Sequence, residues 1–212
     1  MSATPKSTRV ATQHPINSHP RWLRLAHWLS ALAVLVMITS GWRIYNASPL
    51  YDFSFPKAIT FGGWLGGALQ WHFAAMWMLV IVGLFYMIIN IVSGRLSRRF
   101  FPVSPKGFLH DLWAALRGQL RHADLSQYNQ VQRVAYLFVM VDIIVLVISG
   151  LVLWKSVQFP LLRELLGGYD TARHVHFIAM SLLMAFIAVH VVMVALVPKT
   201  LLAMIVGHKE RA

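Results

Sequence analysis

Four stretches of this chain are apolar for long enough to cross a bilayer. They run roughly from Trp22 to Tyr45, Trp64 to Ile91, Val131 to Trp154 and Thr171 to Val197. A bilayer's hydrocarbon core takes about 20 residues of helix to cross, and inside it every backbone N–H and C=O must be satisfied within the segment. A chain that is 58% hydrophobic and only 12% charged, with its apolar residues gathered in this way, is expected to be all-α. The expected architecture is an integral membrane four-helix bundle of up-and-down topology. Met1 to Pro20 is polar and lacks the apolar segment of a cleavable signal. The chain therefore divides into a tail (1–20), one four-helix domain (21–198) and a second tail (199–212). No internal repeat is evident from the sequence.

Charge sets the orientation. The net charge of +12 raises the question of a nucleic-acid partner, but in a polytopic protein basic residues collect in cytoplasmic loops. Fourteen of the 19 lysines and arginines lie in the N-terminal flank, the segment between spans two and three, and the C-terminal tail. Only Arg43, Lys57, Lys155, Arg163 and Arg173 lie on the other side. The positive-inside rule puts both termini in the cytoplasm, with lipid and not nucleic acid as the surroundings. Between spans two and three, Phe108, Leu109, Leu112, Trp113, Leu116 and Leu120 recur at helical spacing, so Pro105 to His122 reads as a short interfacial amphipathic helix. Residues 46 to 63 are aromatic and proline-bearing, suited to the membrane surface or to a partner. The stretch between spans three and four, with Pro160, Gly167 and Gly168, reads as a loop.

The chain has no cysteine. That excludes disulfides, thiolate-held iron–sulfur clusters and covalently attached haem. A metal cofactor must rest on histidine, methionine or carboxylate. Five of the ten histidines lie within spans: His27, His72, His174, His176 and His190. His176 and His190 are fourteen residues apart, which on a helix is about 21 Å of rise with both rings within about 40° of one face. Topology assigns depth. His72 and His176 lie near the outer ends of spans two and four, and His27 and His190 near the inner ends of spans one and four. Two imidazoles at each of two levels suit two haems b, ligated axially and lodged between helices. Zinc takes about four ligands, so two per level are too few. The competing role for a membrane histidine is a hydrogen-bonded packing group.

Gly41 lies fourteen residues after His27 and Gly83 eleven after His72, where small residues leave clearance for a porphyrin. Equally, Gly41, Gly83 and Gly150 suit close helix packing. His174 is about 200° round the helix from His176 and reads as a surface residue. His14, His19, His110, His122 and His208 lie in polar segments and read as solvated.

The run Trp22-Leu23-Arg24-Leu25-Ala26-His27-Trp28 resembles the first helix of the bacterial cytochrome b561 / nickel-hydrogenase b-type cytochrome family. Gly41-Trp42-Arg43-Ile44-Tyr45, Trp71-His72-Phe73, and His176 with His190 are similar to it too. The resemblance covers all four spans. It implies a four-helix cytochrome of the bacterial inner membrane with two b haems, passing electrons between quinones and a partner enzyme. The ligand positions it implies are His27, His72, His176 and His190. The run from Gly41 to Pro49 is similar to members that accompany a periplasmic molybdopterin oxidoreductase of the sulfite-oxidase type.

Further residues have candidate roles. Arg43, Lys155 and Arg173 lie at the outer edge, where haem propionates need cations, and Arg24 and Lys199 at the inner edge; each is otherwise a snorkelling side chain. Asp142 lies in mid-span three, suited to a proton or histidine-bonding role or to a structural hydrogen bond. The methionines read as packing and most tryptophans as an interfacial belt. The expected function is electron transfer between the quinone pool and a periplasmic oxidoreductase, as a subunit of an enzyme more than an enzyme by itself. The alternatives are a stand-alone superoxide:quinone oxidoreductase and a haem-free scaffold or transporter whose histidines relay protons.

Overall fold

The computed structural model describes residues 20–94, 102–117, 130–196 and 198–206, and all regular structure among them is helical. The α-helices are α1 (Arg21–Tyr45), α2 (Leu65–Val92), α3 (Pro105–Leu116), α4 (Gln130–Trp154), α5 (Pro160–Leu165), α6 (Tyr169–Leu196) and α7 (Pro198–Ile205). Helices α1, α2, α4 and α6 are long and apolar enough to cross a membrane. The protein is a multi-pass membrane four-helix bundle.

The connections hold more structure than the sequence suggests. The stretch between spans three and four, read as a loop, includes α5. Its start has proline at the first helical position, where the missing N–H costs nothing. Its end is a left-handed turn: Gly167 and Gly168 have φ of 74° and 98°, and Gly168 N–H donates back to Arg163 O at 2.8 Å. Helix α6 starts directly after it. The amphipathic helix is present as α3, with Leu109 and Trp113 exposed one turn apart; Leu120 and His122 lie outside the described residues, as do His14, His19 and His208. The C-terminal tail was expected from residue 199, but Pro198 starts another helix, α7. Arg24 and Trp28 of α1 donate to its last carbonyls, Ile205 O at 3.0 Å and Met204 O at 3.2 Å. The start of span one and the end of span four therefore meet at one end of the bundle.

The spans pack as two antiparallel pairs, α1 with α2 and α4 with α6. Small residues at seven-residue intervals line the contacts: Ala26, Ala33 and Ser40 on α1, Ala68 and Ala75 on α2, Ala172 and Ala179 on α6. Lipid offers no hydrophobic drive between helices, so close backbone approach at small residues supplies the packing.

The pairs repeat one another, an internal repeat not evident from the sequence until the helices were seen paired. Ser40-Gly41 on α1 corresponds to Ser149-Gly150 on α4. On the partner helices, Ala68, His72-Phe73, Ala75-Met76 and Leu79 of α2 correspond to Ala172, His176-Phe177, Ala179-Met180 and Leu183 of α6. Contacts between the pairs repeat as well. Phe73 lies 5.1 Å from Trp154, and Phe177 lies 5.2 Å from Tyr45, centroid to centroid. This approximate twofold axis runs along the bundle. It sets α1 beside α2 and α6, α4 beside the same two helices, and α2 diagonally across from α6.

The segment from 46 to 63 folds back over the outer end of α1. Asn46 clasps Phe55 through both its backbone groups, at 2.8 Å each, and Phe61 N–H donates to Thr39 O at 3.0 Å. Its aromatics stack onto the bundle: Phe55 on Trp42 at 4.9 Å, and Phe53 on Tyr45 at 5.2 Å. If seams of small residues hold each pair together, Ala68→Leu should destabilise the protein by about 1–3 kcal/mol through overpacking. A lowered thermal midpoint in detergent, against wild type in the same detergent, checks this.

Candidate functional site

At the outer level the imidazoles of His72 and His176 are each gripped by the neighbouring helix of their own pair. His72 Nδ1 lies 3.1 Å from Met37 O and 3.1 Å from Ser40 Oγ. His176 Nδ1 lies 2.9 Å from Ser149 Oγ and also bonds the Leu146 carbonyl. A carbonyl oxygen only accepts, so Nδ1 carries the proton and Nε2 keeps its lone pair on the far side of the ring. Each serine hydroxyl donates to its own helix, Ser40 to Val36 O at 2.6 Å and Ser149 to Val145 O at 2.7 Å. Its oxygen stays available to the ring. The next residue is glycine in both cases. A Cβ on Gly41 would meet His72 Cε1 at 3.5 Å, and one on Gly150 would meet His176 Cε1 at 3.4 Å. Each ring thus lies against bare helix backbone, locked in one tautomer.

At the inner level, His27 of α1 and His190 of α6 face each other across the two pairs. Their ring centroids are 6.2 Å apart with planes at 62°. His190 lies flat against Phe186 on its own helix, at 6.1 Å and 8°. Among the described residues no group of three or more metal-binding side chains gathers; the histidines meet in twos.

The structure sets His27 and His190 face to face, 6.2 Å apart between ring centroids, and holds His72 and His176 in equivalent clasps on their own pairs. It gives Gly41 a definite task, the close approach of His72, while Gly83 has nothing within reach of an added Cβ. Arg173 is engaged with the outer loop, donating to Ser48 O at 2.6 Å. Lys155 lies over the Trp154 ring at 5.0 Å. Arg43 is half-buried at the end of α1. His174 is exposed and bonds Asp170 O, as a surface residue should. His110 is exposed beside Asp111. Ser40, Ser149 and the two clasping carbonyls were not anticipated, and Gly150 was read only as a close-packing residue. The signal for them was present as the Ser-Gly dipeptide that recurs 109 residues later.

A sequence profile of the prokaryotic cytochrome b561 family matches residues 18–207. The chain belongs to that family. It is also similar to a putative protein-methionine-sulfoxide reductase subunit, YedZ1, of Azospira oryzae: 66% identity over 190 residues, covering 90% of this chain and 96% of the relative.

The family's cofactor is b-type haem, and the residues present fit it. An iron ligated on both faces stands about 2 Å from each imidazole nitrogen, so the two ring centres must lie roughly 6 Å apart. The His27–His190 separation of 6.2 Å meets that requirement. The outer rings satisfy a second requirement, Nδ1 bonded to a fixed acceptor and Nε2 bare. Among the described residues two buried N–H groups lack a hydrogen-bond partner: Trp42 Nε1, next in sequence to the outer clasp, and Arg24 Nε near the inner end. Carboxylates of a porphyrin are suitable acceptors for both.

The clasp can be tested by size. Alanine at 41 places its Cβ at ordinary contact distance from His72 and should leave haem content at the wild-type level. Gly41→Leu should displace the ring and lower haem content. The pyridine haemochrome spectrum of the purified protein, per chain, reads both.

Proposed function

We propose that this chain is a di-haem b-type cytochrome of the bacterial inner membrane, with both termini in the cytoplasm. It carries single electrons between the quinone pool and an oxidoreductase on the periplasmic side. His72 and His176 hold the outer haem; His27 and His190 hold the inner one. The observation that carries the reading is the opposed pair at the inner level, 6.2 Å apart on two different spans, below a second pair presented by equivalent Ser-Gly clasps.

The haem iron supplies the reversible one-electron change, and the chain supplies spacing, ligation and exclusion of water. Along α6 the two levels are separated by about 21 Å of helix rise, most of the ~30 Å hydrocarbon core. The chain thus sets one centre near each surface. The clasped Nδ1 groups fix the tautomer and direction of the outer imidazoles and leave Nε2 bare, which suits them to iron ligation. Arg43, Lys155 and Arg173 are the cations available to outer propionates.

The name of the Azospira relative describes a subunit of a methionine sulfoxide reductase. This supports a partner reductase, of the molybdopterin type to which the sequence points, fed with electrons from quinol. The aromatic cap over the outer end, with Tyr51 and Phe53 exposed beside the clasped Phe55, is the surface from which such a partner can reach the outer level.

The assignment yields a count. Wild type should hold two haems per chain. His72→Ala and His176→Ala should each retain the inner haem only, and His27→Ala and His190→Ala the outer one only. Unchanged haem content in any of the four removes that residue from the ligand set.

A further inference from the structure

We propose that α4 and α6 form a lipid-facing binding site for the head of a prenylated quinol, held by a hydrogen bond from its hydroxyl to Asp142. The proposal rests on the quinone-linked reading above and gives it a location.

Asp142 is 5% exposed, and its Oδ2 is buried without a hydrogen-bond partner. An acceptor left unpaired in an apolar setting is costly, so a donor is missing from its surroundings. Asp142 is one wall of a groove of about 290 Å³ between the two helices, lined also by Phe138, Val141 and Val145 of α4 and by Ile178, Ala179 and Leu182 of α6. The groove opens away from the haem side. Ile178 and Leu182 stand two and six residues beyond His176, about 200° and 240° round the helix from the ligand face. Its rim is open to lipid, with Val141 60% and Ile178 52% exposed.

Depth narrows the occupant. Asp142 precedes Ser149, which grips His176, by seven residues. That is two turns, about 10 Å, and places it midway between the two histidine levels. Lipid head groups stay at the surfaces of a core about 30 Å thick. A donor that reaches this depth must itself be dissolved in the hydrocarbon. A quinol fits: it brings a hydroxyl for the carboxyl oxygen, a flat ring for the aliphatic walls and an isoprenoid tail for the open side.

The internal repeat shows that helix packing does not call for the acid. The place of Asp142 is taken in the other pair by Ala33, which is fully buried. One half of the molecule closes this seam with a methyl group; the other puts a carboxyl there beside an open groove. Asp142 stands two helical turns from Ser149, so its removal leaves the clasp on His176 in place.

The test is equilibrium binding of decylubiquinol to the haem-loaded full-length chain in lipid nanodiscs. Asp142→Leu should raise Kd at least tenfold, the loss of a hydrogen bond to a charged or strongly polar acceptor. Asp142→Asn keeps an accepting oxygen and should raise it less. Ile178→Trp fills the groove from its rim without touching the carboxyl and should raise Kd as Asp142→Leu does. Haem content and absorption spectrum should stay at wild type in all three. If Asp142→Leu fails to load haem, Ile178→Trp decides. Unchanged affinity in Asp142→Leu and Ile178→Trp, with wild-type haem still reduced by the quinol, overturns this site and leaves the electron-carrier reading standing. A two-haem wild type that neither binds nor is reduced by the quinol overturns both.

Discussion

An imidazole buried in hydrocarbon must have its N–H satisfied, and to serve as a ligand it must keep its other nitrogen bare. The spans meet both demands with a helix carbonyl. In a helix each carbonyl already accepts from the N–H four residues on, but it has a second lone pair. For Met37 the residue four further on is Gly41; for Leu146 it is Gly150. With no Cβ over the carbonyl, the rings of His72 and His176 come within contact distance of bare backbone. The serine before each glycine adds a second acceptor at 3.1 and 2.9 Å. A Ser-Gly dipeptide on one helix thereby fixes the tautomer and direction of a histidine on the next. The seams of alanine bring those helices close enough for it to reach.

Because the clasp is made twice, the outer level takes its symmetry from the bundle. His72 and His176 occupy equivalent positions on diagonal helices, with Phe73 and Phe177 reaching equivalent aromatics at 5.1 and 5.2 Å. The inner level departs from this. His27 and His190 lie on α1 and α6, and the repeat places Tyr136 and Tyr86 at the corresponding positions of α4 and α2. The asymmetry is chemical, since tyrosine replaces histidine on a backbone that repeats. Asp142 against Ala33 breaks the symmetry in the same manner. The two halves share the device that orients a ring, and differ in the groups that single out one inner pair and one groove.

The two ends of the bundle are closed by different means. At the outer end a clasped loop stacks its aromatics on Trp42, Tyr45 and Phe177, and Arg173 ties the same loop to α6. At the other end, α7 turns back so that α1 donates to its free carbonyls. Those carbonyls end a helix and need donors, and Arg24 and Trp28 supply them.

The sequence by itself determined the four spans, since apolar length and the ban on unpaired backbone in lipid leave few other folds. It also determined the depth of each histidine, because depth follows from the order of crossings. Hence His72 and His176, and His27 and His190, were paired and read as holders of two b haems before any coordinates, and the family resemblance implied the same cofactor. Three features were decided only by the tertiary structure. The Ser-Gly clasps depend on which helix lies beside which, and chain order does not state that. The helix at Pro198 was hidden because its apolar residues are too few to read as a span, and it is docked on α1 by side chains from the opposite end of the sequence. The groove at Asp142 is lined by both α4 and α6, so it follows from which faces of those two helices meet, and the equivalent position of the other pair holds a fully buried Ala33. Local pattern records what each helix is made of, and contact between helices far apart in the chain settles what those residues face.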